Sequence, residues 1–105
     1  MSPFASTPEP PYYAVIFTSR RTKGDNGYGA MADRMIELVA SQPGFLGYES
    51  ARDDLGITVS YWKDLASIKE WRTNSEHLTA QKLGRERWYS SFKIRIARVE
   101  YDHAV

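Results

Sequence analysis

The spacing of apolar residues changes repeatedly along this chain, and each change marks an element. Tyr12 to Ser19 (YYAVIFTS) combines aromatic and β-branched residues between Pro11 and Arg20-Arg21, which predicts a strand that is apolar on both faces. The polar segment from Arg21 to Gly27 reads as a loop, with Asp25 or Asn26 placed to cap the next element. From Tyr28 to about Ser41 the period becomes helical: Tyr28, Met31, Met35, Leu38 and Val39 form one stripe, and Asp33, Arg34 and Glu37 fall outside it. Pro43-Gly44 ends that helix.

Alternation returns in Phe45 to Arg52 and Ile57 to Trp62, around the glycine-bearing connection Asp53-Asp54-Leu55-Gly56, which is a hairpin signal. Asp64 is placed to cap a helix that carries Leu65, Ile68 and Trp71 inward. Thr73-Asn74-Ser75 interrupts it, with Ser75 placed to cap a further helix to about Arg87. On that helix His77, Gln81, Gly84 and Trp88 share a face. Tyr89 to Tyr101 reads as a long strand in which Phe92, Ile94 and Ile96 hold one phase and Val99 and Tyr101 the other. Either a bulge near Ala97 re-aims the chain, or its two halves bury opposite faces.

The order β-α-β-β-α(α)-β predicts an α+β, ferredoxin-like βαββαβ domain over residues 12–102, a four-stranded antiparallel sheet with helices on one face. Residues 1–11 (MSPFASTPEPP) read as a flexible N-terminal arm; they lack the basic leader and apolar stretch of a signal peptide, so a cytoplasmic location is expected. Strands apolar on both faces leave the sheet surface away from the helices in need of cover, which a second copy of the chain would supply.

Composition narrows the chemistry. A net charge of +1 with interspersed signs argues against a nucleic-acid surface or an anionic-membrane surface, and Lys93, Arg95 and Arg98 read as a solvated strand face or partner contacts. With no cysteine, disulfides and thiolate chemistry are excluded, and no apolar run approaches a membrane span. His77 and His103, far apart in sequence and without a carboxylate at ligand spacing, do not form a metal-site pattern. Seven Tyr, four Phe and three Trp are more rings than so short a chain is expected to bury, which points to an aromatic-lined cavity or a subunit interface. Imidazole titrates near neutrality, so His77 is the candidate base; Tyr61 and Tyr89 are candidate partners for a phenolic ligand.

The segment QPGFLGYES (Gln42–Ser50), the run SYWKD that ends the third strand, and the spacing W-x5-H-x3-Q from Trp71 through His77 to Gln81 resemble the antibiotic biosynthesis monooxygenase family, and the likeness extends from Tyr12 to Tyr101. The resemblance implies a homodimeric α+β barrel with a cavity between sheet and helices in each subunit. It also implies oxidoreductase activity without a bound cofactor, on a small quinol- or polyketide-type aromatic molecule. On that reading His77 and Trp71 are the catalytic candidates, and Phe17, Trp62, Gln81 and Trp88 contact the substrate. Haem-degrading relatives offer an alternative in which haem is substrate or ligand. They use an asparagine on the first strand, where this chain reads Val15-Ile16-Phe17-Thr18, and Gln81 occupies their histidine position. A dimeric small-ligand-binding module without catalysis is the third expectation.

Overall fold

A computed structural model describes residues 3–105; residues 1 and 2, the start of the expected arm, lie outside the described residues. The elements run β1 (Tyr12–Arg21), α1 (Tyr28–Ala40), β2 (Phe45–Arg52), β3 (Leu55–Trp62), α2 (Leu65–Thr73), α3 (Ser75–Leu83), a single π-helical turn (Gly84–Trp88) and β4 (Tyr89–Val99). The strands form one antiparallel sheet in the order β2-β3-β1-β4, the ferredoxin-like arrangement. Among the described residues, no helix is long and apolar enough to cross a membrane.

Pairing register sorts the side chains between two faces. Trp62 stands opposite both Tyr13 and Phe45, and its ring meets Trp71 of α2. Tyr13, Val15, Phe17 and Ser19 therefore look toward the helices, as do Gly56, Thr58, Ser60 and Trp62, while Ala14, Ile16, Ile57, Val59 and Tyr61 look away. Pairing of β4 with β1 runs without a shift from Ser91 to Val99, so no bulge occurs at Ala97. Phe92, Ile94 and Ile96 lie on the helix side and Val99 on the other, but Phe92, Ile94 and Ile96 are exposed and so is Tyr101. The two halves point to opposite faces without burying them, which is neither of the two expected arrangements. The register shift falls instead at Arg20/Arg21, opposite Tyr89, and turns the Tyr89 ring onto Phe17.

Local chemistry sets the helix ends, in three places differently from expectation. Gly27, not Asp25 or Asn26, occupies the cap of α1 at φ 85°; the Asp25 carboxylate still accepts the N–H groups of Gly27 and Gly29, each at 3.0 Å. Asp64 accepts the Ser67 N–H at 2.8 Å, as the sequence implied. Asn74 rather than Ser75 caps α3, its Oδ1 accepting from Glu76 and His77. Leu65, expected to point inward, is 53% exposed, because a side chain in the first turn tilts back past the helix end. Ile68 of the same helix is buried with Trp62 and Trp88.

Helix α1 buries no side chain fully. Met31, Met35, Leu38 and Val39 remain half-buried, and so do Val15, Phe17, Thr58 and Ser60 on the sheet face turned toward the helices. The layer between sheet and helices is thus incompletely filled. On the opposite face, Ala5 of the arm donates its N–H to Glu49 at 3.0 Å, and Tyr12 donates to Asp102 at 2.5 Å. Leu55 and Ile57 on that same face are exposed.

Candidate functional site

An aromatic ladder climbs from the sheet into the helices. Phe45 meets Trp62 edge-on at 5.3 Å, Trp62 stacks on Trp71 at 6.4 Å, and Trp71 stacks on His77 at 4.2 Å with 16° between planes. The last step depends on the break between α2 and α3. Asn74 at φ −58°, ψ 131° is not helical, so the chain turns there and α3 restarts at a new angle. That turn folds His77 back onto Trp71, six residues earlier, where an unbroken helix would carry it onward along the axis.

The His77 ring is fixed by more than stacking. Its Nδ1 lies 2.9 Å from the Trp71 carbonyl oxygen. A carbonyl oxygen only accepts, so Nδ1 carries the proton and the Nε2 lone pair is left free. Gln81 sits 3.4 Å from the same Nδ1 and donates its amide to the Arg72 carbonyl at 3.1 Å. Burial pushes the His77 pKa down from its ordinary value. The Trp71 carbonyl partly opposes that shift, and the Arg72 charge adds to it. His77 is therefore a neutral imidazole at pH 7, with a defined tautomer and one basic nitrogen.

Of the residues singled out in the sequence, Trp71, His77, Gln81 and Trp62 come together here. Trp62 is wholly enclosed, its indole N–H donating to Ser60 Oγ at 2.9 Å, so it backs the site from behind. Phe17 and Trp88 lie in a second aromatic cluster at the other end of the helix-side layer. There Phe17 packs on Tyr89 and Phe92, Trp88 packs on Tyr28, and the Arg21 guanidinium covers the Tyr28 ring at 3.6 Å. Trp88 is buried, with its N–H given to the Asn26 carbonyl. The shared helix face that joined His77 to Trp88 is divided by the π turn.

The two tyrosines part company. Tyr61 lies on the face away from the helices and gives its hydroxyl to Glu49 at 2.6 Å; burial and that carboxylate push its pKa up to about 12. Tyr89 stays on the helix side, and burial, then the Tyr28 hydroxyl, raise its pKa. Sequence reading missed Asn74 as the residue that sets His77; its signal was an Asn directly before Ser-Glu-His at a helix start. Among the described residues no three His, Cys, Asp or Glu side chains converge as metal ligands would.

Both the fold and this aromatic layer define an α+β protein of the ferredoxin-like class. The antibiotic biosynthesis monooxygenase family model matches residues 12–83, and the chain belongs to that family. It is 53% identical over 98 residues to the uncharacterized protein YqjZ of Bacillus subtilis, covering 91% of this chain and 86% of that protein. It is 29% identical over 92 residues to a jasmonate monooxygenase of Pyricularia oryzae, covering 83% of this chain and 43% of that longer protein. Among solved structures, SnoaB of Streptomyces nogalater, described as a cofactor-independent oxygenase, superposes with a TM-score of 0.75 at 12% identity, covering 87% of this chain and 95% of SnoaB. Rv0793 of Mycobacterium tuberculosis gives 0.75 at 15% identity, covering 90% of this chain and 99% of Rv0793. At such identities the two structures establish shared fold alone.

Proposed function

We propose that this protein is a cofactor-independent oxygenase of an electron-rich aromatic molecule, a quinol or anthrone, bound in the layer between sheet and helices of a homodimer. The observation that carries the reading is the tautomer of His77: Nδ1–H tied to the Trp71 carbonyl, Nε2 free, and the ring neutral because it is buried. Such a nitrogen accepts a proton from the substrate, and the phenolate or carbanion formed is electron-rich enough to react with O₂ directly. Water exclusion by the surrounding rings keeps the base unprotonated and the anion reactive. Trp71 holds the imidazole plane, Gln81 sits beside its Nδ1, and Phe17 offers an apolar surface on the sheet. Trp62 backs Trp71 from behind, and Trp88 fills the second aromatic cluster beside Tyr28. The oxygenase names of two matching proteins support the same reaction class.

Oxygen uptake with a panel of quinols and anthrones, without added cofactor, tests the reading. Uptake should occur with at least one compound, and His77→Ala should reduce turnover by about a hundredfold or more with the fold intact. Binding of these compounds without any uptake would instead indicate a ligand-binding module. Uptake that is unchanged in His77→Ala would remove His77 from the mechanism. Titration with haem is the discriminating control: a ligand-bound Soret band that bleaches with reductant and O₂ would make haem the substrate.

A further inference from the structure

The far end of the helix-side layer holds a cation that the proposed chemistry at His77 does not use. Arg52, the last residue of β2, stands opposite Gly56 of β3, which in turn stands opposite Ser19 of β1. All three therefore occupy the helix side of the sheet. The Arg52 guanidinium lies flat across Gly56, in space that any side chain there would fill. Its Nη2 donates to Ser19 Oγ and its Nη1 reaches the Ser19 carbonyl at 3.4 Å. Ser19 is 2% exposed, so the arginine is held by a fixed, buried acceptor although Arg52 itself is open to solvent.

The ion pairs among the described residues leave Arg52 out. Arg20 is paired with Asp54, Arg34 with Glu37 and Glu76, and Arg98 with Glu100. Among the described residues no carboxylate lies within ion-pair distance of Arg52. Arg21, on the same side of the sheet, spends its donors on the carbonyls of Trp88, Gly24 and Asp25. Arg52 has only neutral acceptors, and the rest of its fork is uncommitted. The Tyr89 ring lies in the same helix-side layer, packed on Phe17 and Phe92.

The neighbouring surface is apolar. Phe17, Tyr89 and Phe92 pack ring on ring, and the helix side of β4 continues as Phe92, Ile94 and Ile96 at 40%, 51% and 42% exposure. A fork-shaped cation fits a carboxylate bidentately, and rings beside it fit an aromatic body. We infer that Arg52, seated on Gly56 by Ser19, is the recognition site for the carboxylate of a small aromatic acid whose ring lies on Phe17 and Phe92. This assignment goes beyond the oxygenase reading and does not depend on it: binding at Arg52 needs no proton transfer at His77.

Calorimetric titration with 2-naphthoate and its uncharged analogue 2-naphthamide tests the site. The native protein should bind the acid roughly tenfold or more tightly than the amide, as expected for a charge-assisted pair. Arg52→Gln should abolish that preference while leaving amide affinity unchanged. Because Arg52 also contacts Ser19, Arg52→Lys serves as the gentler variant; it keeps the charge but loses the fork, and the preference should fall partway. His77→Ala should leave the preference intact even if it abolishes turnover. Equal affinity for acid and amide in the native protein, binding of neither, or a preference that survives Arg52→Gln would each overturn the assignment.

Discussion

His77 and Trp71 are joined twice, ring to ring at 4.2 Å and Nδ1 to carbonyl oxygen at 2.9 Å, across a helix break that places them six residues apart in sequence. The second contact selects the tautomer and the first keeps the ring in place, so one short segment builds a base from local geometry. Burial makes the protonated form costly there, and stability should respond to pH accordingly.

The His77 pKa is lower in the folded chain than in the unfolded one. Between those two values the unfolded state binds more protons, so stability rises with pH in that window. Its contribution is present above the ordinary histidine range of about 6.5 and is lost as pH falls through the lowered folded value. Urea midpoints between pH 5 and 7.5 should show this slope in the native protein and a shallower one in His77→Gln. Equal slopes would remove His77 as the origin.

Gly44 follows Pro43 with φ 82°, and a Cβ there would lie 2.6 Å from Ser67 Cβ and closer still to its hydroxyl. Gly44→Ala should therefore cost roughly 2–4 kcal/mol, combining left-handed backbone strain with overpacking. Adding Ser67→Ala should recover only part of the loss, since the Ser67 Cβ and the backbone angle remain. Denaturant unfolding of both variants measures the two contributions.

Asn74 accepts the N–H groups of Glu76 and His77 and turns the chain between α2 and α3. Removing that acceptor in Asn74→Ala should cost about 1 kcal/mol, and Asn74→Asp should retain most of it. If the turn positions the base, Asn74→Ala should also move the His77 imidazole titration toward the ordinary histidine value when followed by NMR.

Ile57 is exposed on the sheet face away from the helices, beside half-buried Ile16 and Val59. If a second copy covers that face, Ile57→Lys should weaken self-association by about tenfold or more, because a buried unpaired ammonium is costly. Light scattering over a dilution series reads this directly; a native protein that is monomeric at every concentration would remove the dimer from the proposed function.

Local pattern was enough for the elements and their order. The strand at Tyr12, the stripe from Tyr28 to Val39, the hairpin read at Asp53-Asp54-Leu55-Gly56 (whose last two residues belong to β3) and the cap at Asp64 depend on residues close in sequence, and backbone geometry alone relates them. The segments that carried the family likeness lie within this same local grammar. Helix ends were less legible, because Asn74 and Ser75 both satisfy a cap and only the exit angle of α2 chooses between them.

Proximity between distant residues was decided by the folded chain. Register alone brought Arg52 over Gly56 to Ser19, and the shift at Arg20/Arg21 alone turned Tyr89 toward Phe17. The same pairing put Tyr61 on the far face with Glu49, while Tyr89 stayed on the helix side. Side-chain period says which residues share a face; it does not say which strands meet, or at what offset. His77 was legible as a base from its residue type, and the turn at Asn74 set its tautomer. The strand offset is fixed by summed packing over the whole sheet, and so the candidate anion site became visible only once the strands were aligned.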